Sequence, residues 1–532
     1  MRLSWPLSHR IAFRFWFDVI DRPGRAFWLS LSTLLAVRFA FAVCSLQYHL
    51  DGDNTVALIQ ANDWLSTPQK TYFWGQTYMG TTEVWLFSSM WRLLFGAHST
   101  VPILYWVFCG QFLFALGAAL VQAALVHTDG SLWGRPRVFL LSLVVFGFTA
   151  PVFQKYTFGL GHGYSAVPFY AGLTIACYLL RTRLSLALFL LAGLLLGQSH
   201  YVFRLHLVYP VSLVLALLWD GPRTNAWKVA AISVGVALGM LPEKMFLPAQ
   251  GYAAQFCLTD VSHAWDNGWS AIAQAAVHVG TLPYSLLESE HALWFAGHRP
   301  ESAEWIWWGE RLGAGLLLVL LTIDVVRSLR SSQYLIFTTI LAVNIAVLIA
   351  SCLVLDTFTA RRYMYLSVFS FPFLMMHPPW TIWHRLSMFL RTAALAVYTV
   401  SAVSFTTPLA SFAERSSAQQ FDERYDCLVG SGGDLSALMA LNDLRVRTVD
   451  LNWRLPSNYS RNVAATPEAV RASCRQLFWV DTGGRPKDFI RSLCEPDDAF
   501  YSSTPRGIVS YPQQVAFYRC RVPRHTTLQR PP

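Results

Sequence analysis

Apolar runs of about 20 residues recur along this chain from residue 27 to about residue 408, and no other feature restricts its fold as severely. A run of that length crosses the hydrocarbon core of a bilayer as a helix, because only helices and closed barrels satisfy every backbone N–H and C=O where water is absent. The candidate spans are Phe27 to about Tyr48, then about 101–126, 138–154, 164–180, 184–199, 205–219, 227–246, 312–326, 334–355, 363–377 and 387–408, eleven in all. The run 84–96 is apolar but short, and it reads as a helix lying at, or partly entering, the interface. Only 14% of the 532 residues are charged, where a soluble chain carries about 25%, and the mean hydropathy is +0.37.

Charge then orients the spans. The net charge of +10 is spread over short stretches between apolar runs instead of one continuous patch, which argues against nucleic acid as a partner and for membrane orientation. With the basic N-terminal segment 1–26 inside, the Arg135/Arg137, Arg181/Arg183, Arg223/Lys228, Arg327/Arg330 and His384/Arg385 turns all fall on the inner side. Residues 49–83, 155–163, 200–204, 247–310, 356–362 and the tail then fall on the outer side. This parity requires a single net crossing within 80–127. The first 25 residues lack the apolar centre and small-residue cleavage site of a removable signal peptide, so the first span is expected to remain as an anchor.

The chain therefore divides into the segment 1–26, a transmembrane region 27–411 with outer loops 49–83 and 247–310, and a tail 412–532 of different composition. In the tail, DLSALMALNDL, TPEAVRAS and RPKDFIRSLC have helical periodicity, whereas VRTVDLNW, QLFWVDT and QVAFYRCRV read as strands. A small soluble α/β domain is expected there. Its cysteines, Cys427, Cys474, Cys494 and Cys520, allow up to two disulfides in three connectivities, and no cysteine pair in the chain has zinc-ligand spacing.

The chemistry-bearing residues gather in the first outer loop. There Asp51, Asp53, Asp63 and Glu83 stand among a dense set of Tyr, Phe and Trp. A carboxylate beside a lipid–water boundary can accept a proton from a hydroxyl or hold a divalent cation against a phosphate. The plainer alternative is a set of solvated acids, with Asp53 as a helix N-cap before TVALIQAN and Glu83 stabilised at the start of the 84–96 helix. Asp51-Gly52-Asp53 has the form of the metal-binding D-x-D of soluble sugar transferases, but it follows a membrane span instead of lying in a large α/β domain. The glycines of FGLGHGYS lack the strand–helix setting of a dinucleotide site, and no phosphate-binding loop, H-E-x-x-H or G-x-S-x-G occurs.

The segment DNTVALIQA followed by FWGQTYMGTTEVWLFSSMWRLLFG resembles the first-loop signature of the GT-C superfamily, polytopic transferases that use sugars linked to polyprenyl or dolichyl phosphate. Gly75, Tyr78, Gly80, Glu83 and the Leu94-Phe95-Gly96 turn match. LGHGYSAVPFYAGL, LLAGLLLGQSHYVFRLHLVYP, ALGMLPEKMF and DTFTARRYMYLSVFSFP follow in the same order as similar segments of that superfamily. The likeness covers about residues 27–380 and extends to the mannosyltransferase-like and aminoarabinose-transferase-like branches. The chain departs from many relatives at Asp53-Asn54, where they carry Asp-Glu.

The resemblance implies a GT-C-like α-helical polytopic fold and an inverting glycosyl transfer from a polyprenyl-phosphate donor to a glycolipid, glycan or protein acceptor. Asp53 would be the general base or would orient the acceptor, with Asp51 as the substitute. Glu83 would bind acceptor hydroxyls or, with Asp53, help hold a divalent cation, Mg or Mn. Arg361 and Arg362 would meet the lipid phosphate, since guanidinium forks bind phosphate in bidentate fashion, although arginines at a span end also serve as snorkelling anchors. Lys155 and Arg204 are further phosphate candidates. Tyr78, His162 and Tyr164 are candidates for the sugar or phosphate, and His200 is a weaker one. The expected setting is the bacterial inner membrane, with the site and tail on the periplasmic face. Two competing readings are a transporter or flippase for a lipid-linked polar molecule and a scaffold whose tail binds a partner. A transporter should carry acids near mid-membrane and internal repeats, whereas here the acids concentrate in the outer loop and no repeat is visible.

Overall fold

The computed structural model describes residues 23–44, 52–63, 82–128, 159–160, 165–202, 204–241, 334–354, 426–430, 447–450, 466–480, 500–502 and 517–522, with isolated positions elsewhere. The described residues are mostly helical, with apolar helices and one small sheet among them. The helices are α1 (Pro23–Cys44), α2 (Gly52–Asp63), α3 (Thr82–Phe95), α4 (Ile103–Thr128), α5 (Val167–Leu179), α6 (Leu186–Val202), a 3₁₀ turn (Arg204–Leu207), α7 (Val208–Asp220), α8 (Pro222–Gly239) and α9 (Leu335–Val354). Among the described residues, two segments, Gly24–Val43 and Ile103–Thr128, are long and apolar enough to cross a membrane by length and composition. The expected spans 138–154, 363–377 and 387–408 lie outside the described residues apart from single helical positions at 366, 390 and 393, as does most of the loop 247–310.

Three packed pairs set the direction of the helices. Along α1 and α4, Ser30 donates its hydroxyl to Gln122 while Arg38 Nε donates to Gln111 Oε1 at 2.8 Å, so the two run antiparallel. The Arg38 guanidinium also lies over the Phe114 ring, 3.6 Å from its centroid. Along α4, Gly110 approaches Gly159, which precedes α5, whereas Gly117 meets Pro168 and Gly172 of α5, so the chain leading into α5 runs in the same sense as α4. Along α6 and α8, Gly193 meets Gly235 and Gly197 meets Gly239, again in parallel. The α6–α8 contact is a reciprocal G-x-x-x-G pair, and a Cβ on any of the four glycines would overlap backbone atoms of the facing helix. Close approach of this kind is how helices associate where lipid removes the hydrophobic drive.

The helical body therefore has two distinct ends. At one, Arg181 at the end of α5 pairs with Asp220 at the end of α7 at 2.6 Å and lies over the Tyr178 ring. At the other end the C-termini of α6 and α8 meet the start of α3, where Thr82 Oγ1 donates to Gln198 Oε1 at 3.1 Å and Gln198 Nε2 donates to the Gly239 carbonyl at 2.9 Å.

Helix α3 is about 21 Å long, short of the roughly 30 Å hydrocarbon core. It buries Glu83, Val84, Phe87, Ser88 and Arg92 and exposes Leu86, Met90, Leu93, Leu94 and Phe95, the pattern of an amphipathic helix with an unpartnered apolar face. Arg92 donates to the Ala61 carbonyl near the end of α2, where a cation is favoured. Asn62 and Val101 exchange hydrogen bonds, and Tyr105 donates to the Phe87 carbonyl. Helices α2 and α3 are thereby tied to the start of α4.

In the tail, strands β1 (Asp426–Gly430), β2 (Arg447–Asp450), β3 (Gln476–Val480), β4 (Phe500–Ser502) and β5 (Phe517–Arg521) form one sheet in the order β2-β1-β3-β5-β4. β1 is parallel to both neighbours, and β5 is antiparallel to β3 and β4. The short helix α10 (Pro467–Ser473), capped by Thr466, leads into β3. Expected strands at β2, β3 and β5 are present, and β1 and β4 join them. DLSALMALNDL lies outside the described residues, and RPKDFIRSLC is described only at Phe489 and Leu493.

Cys427 on β1 and Cys474 after α10 form a disulfide across the core of Val429, Val449, Val470 and Leu477. Closing a loop of 47 residues restricts the unfolded tail by about 4 kcal/mol. Alkylation under denaturing, non-reducing conditions is expected to leave Cys427 and Cys474 as one linked peptide pair, whereas recovery of both as alkylated thiols would refute the bond. The pairing of Cys494 and Cys520 lies outside the described side chains.

Candidate active site

Helix α3 opens on Thr82 and Glu83, and that placement creates the main electrostatic feature of this end of the molecule. Glu83 faces inward and is 6% exposed. Neither carboxylate oxygen has a hydrogen-bond partner among the described residues, beyond a weak pull from its own backbone amide. Burial disfavours the charged form, and the carboxyl is pushed up to about 7 from an ordinary 4.5. A buried acid with no partner among the described residues is costly to fold around, which makes Glu83 a candidate site residue.

A chain of aromatic side chains leads away from it through three further elements. Glu83 acts electrostatically on Tyr170 of α5. The Tyr170 ring lies 5.5 Å from that of His206 in the 3₁₀ turn, and His206 lies 5.7 Å from Tyr209 of α7. Tyr209 donates its hydroxyl to the Leu366 carbonyl at 3.0 Å, which joins this cluster to the segment that carries Arg361 and Arg362 four or five residues earlier. Ser165, just ahead of α5, is fully buried, and its hydroxyl has no partner among the described residues. One end of the helical body thus holds buried carboxylate, imidazole, phenol and hydroxyl groups.

The expected site residues fall as follows. Asp53 is the second residue of α2, in the first turn, where the N–H groups of a helix start favour an ionised carboxylate; its side chain lies outside the described residues. The same holds for Arg204, whose backbone begins the 3₁₀ turn. Asp51, Tyr78, Lys155, His162, Tyr164, Arg361 and Arg362 lie outside the described residues altogether. His200 is half-buried near the end of α6. Sequence reasoning passed over Tyr170, His206, Tyr209 and Gln198. The signal for His206 was a histidine inside the apolar run RLHLVYP, where an unsatisfied imidazole would be expensive.

Glu83 fits one requirement of a cation site, a carboxylate with both oxygens free of partners among the described residues. Among the described residues no group of three His, Cys, Asp or Glu assembles around one point.

No protein-family model and no curated protein matches this chain. Among solved structures, the chain is similar to ArnT from Cupriavidus metallidurans bound to undecaprenyl phosphate, at 11% identity and a TM-score of 0.41, covering 92% of this chain and 97% of that one. It is also similar to the Archaeoglobus fulgidus oligosaccharyltransferase in complex with Zn and sulfate, at 12% identity and a TM-score of 0.40, covering 89% of this chain and 73% of that one.

Proposed function

We propose that this chain is a polytopic, GT-C-like membrane glycosyltransferase that moves a sugar, with inversion, from a polyprenyl-phosphate carrier to a glycolipid, glycan or protein acceptor. The observation that carries the reading is Glu83, a buried carboxylate whose oxygens have no hydrogen-bond partner among the described residues, at the end where α3, α6 and α8 converge.

Several features support a membrane setting. The outward face of α6 exposes Leu186, Leu188, Leu190, Leu191 and Leu194, an apolar surface suited to lipid and ill suited to water. Alternating passage through a bilayer requires α1 antiparallel to α4, α4 parallel to α5 across one intervening span, and α6 parallel to α8 across α7, and the contacts run in those senses. The exposed apolar face of α3 suits a helix lying in the outer interface, which preserves the parity of the spans. The disulfide suits an oxidising compartment for the tail.

Asp53 acts as general base on the acceptor hydroxyl, or orients it. Asp53 lies eight residues before Ala61 and Glu83 nine before Arg92, so helices joined at Ala61–Arg92 and packed in the same sense would bring the two acids level. Glu83 accepts hydrogen bonds from acceptor hydroxyls. Arg361 and Arg362, on the segment tied to Tyr209, stabilise the leaving phosphate. A divalent cation, held by Asp53 and Glu83, would supply further positive charge to that phosphate. Asp51, Tyr78, Lys155, His162, Tyr164 and Arg204 complete the proposed substrate contacts. The site and the tail 412–532 lie on the periplasmic face of an inner membrane.

Membranes containing the chain are expected to cleave a polyprenyl-phosphate-linked sugar and release polyprenyl phosphate. If vesicles instead carry the intact lipid-linked sugar across without cleaving it, a transporter replaces this reading. Ser66→Cys is expected to react with an impermeant reagent from outside and Thr182→Cys not to react; equal labelling would break the proposed topology.

A further inference from the structure

The start of α3 is held by one side chain that bridges three helices. Gln198 on α6 accepts from Thr82 Oγ1 at 3.1 Å, and its amide nitrogen donates to the Gly239 carbonyl at 2.9 Å. Thr82 is the residue before Glu83, so this bridge is one peptide unit from the buried carboxylate. The bridge also stands on a close contact between glycines. Gly197, next to Gln198, meets Gly239 so closely that a Cβ on Gly239 would come within 3 Å of both the Gln198 nitrogen and the Gly197 Cα. The first turn of α3 is thus referenced to a rigid helix pair, whereas its last turns are tied to α2 and α4 through Arg92 and Tyr105.

We propose that Gln198 is a positioning residue for Glu83: it fixes the first turn of α3 against the α6–α8 glycine contact, and so sets the depth and direction of the Glu83 carboxylate. Both amide groups are needed in one orientation, the oxygen toward Thr82 and the nitrogen toward Gly239. Leucine at 198 fills similar space but makes neither bond. Valine at 82 keeps the shape of threonine and removes the donor, and serine restores the hydroxyl.

The inference rests on the transferase reading only for its activity arm. In membranes supplied with polyprenyl-phosphate-linked sugar, Gln198→Leu and Thr82→Val are each expected to lower kcat about 10-fold with KM within about twofold, since misplacement of order 1 Å costs one to two powers of ten. Thr82→Ser is expected to stay within about twofold of wild type, and the double variant Thr82→Val/Gln198→Leu to be no worse than either single change. The second arm needs no activity. With Glu83→Cys as a reporter, and the same chain without that change as background, maleimide is expected to label position 83 slowly, and Thr82→Val or Gln198→Leu to speed that labelling about 10-fold. Unchanged labelling in both backgrounds, or a Thr82→Ser variant as impaired as Thr82→Val, would overturn the proposal. Faster labelling in a chain that transfers no sugar would leave the bridge standing and remove the transferase reading alone.

Discussion

Leucine in place of Gly239 is expected to leave little folded protein. A Cβ at that position overlaps the Leu194 carbonyl and comes within 3 Å of the Gln198 nitrogen and the Gly197 Cα, and all of these are backbone or Cα atoms that no rotamer change can move aside. The α6 and α8 axes would have to separate by the thickness of a side chain, and the facing contacts at Gly193 and Gly235 would be lost with them. Overpacking a core ordinarily costs about 1–3 kcal/mol where side chains can yield; here backbone must yield, and a loss of about 3 kcal/mol or more is expected. Gly24, in the first turn of α1, is the matched control, because a Cβ added there would meet nothing within 4 Å. Gly24→Ala should be neutral or stabilising by up to about 1 kcal/mol. Size-exclusion recovery and thermal midpoint in detergent measure both. A monodisperse Gly239→Leu protein as heat-resistant as wild type would refute the packing.

Glu83→Gln is expected to separate activity from stability. The ionised carboxylate accepts hydrogen bonds from acceptor hydroxyls through both oxygens and more strongly than the protonated form, and burial pushes its carboxyl up to about 7, so wild-type transfer should rise with pH up to about 7 and level off above it. The glutamine variant should be slower by about 10²-fold or more at pH 8 and should lose that limb. Stability should move the other way. Because the folded-state value lies above the unfolded 4.5, the folded chain holds its proton more tightly, and stability present at pH 4 is lost as pH rises through 7. The loss amounts to at most about 3 kcal/mol, and the variant escapes it. It should therefore melt higher than wild type at pH 8.5 and alike at pH 4.5. A variant that is both fully active and no more stable at pH 8.5 would contradict the assignment of Glu83.

Much of the helical layout was legible in the apolar runs, because a run long enough to cross a bilayer leaves one choice of secondary structure. The expected spans at 27–48, 101–126, 164–180, 184–199, 205–219, 227–246 and 334–355 each hold a helix, displaced by a few residues. Hydropathy carries no information on partners, however. It could not show that Arg38 of α1 bonds Gln111 of α4, since a buried arginine is priced by a neighbour distant in sequence. Nor could it show that the glycines at 193, 197, 235 and 239 face one another, although each pair has the four-residue spacing that makes this possible. Glu83 stands out in the sequence through its motif, whereas its burial does not, because burial depends on packing such as that of α6 against the first turn of α3. His206 was hidden by its apolar neighbours, and His200, closer to the end of its apolar run, drew the attention instead. In the tail, the disulfide partner of Cys427 depended on how β1 and α10 pack, which strand patterns alone do not specify.

A carboxylate in the first outer loop, on this account, drives sugar transfer from a lipid phosphate. Transfer of labelled sugar from a panel of polyprenyl-phosphate sugars, in membranes holding equal amounts of wild type or Asp53→Asn, tests this most directly. The expected result is lipid-dependent transfer by the wild type and a loss of about 10²-fold or more in the variant. Equal transfer by Asp53→Asn, or no lipid-dependent transfer by the wild type from any donor in the panel, would contradict it.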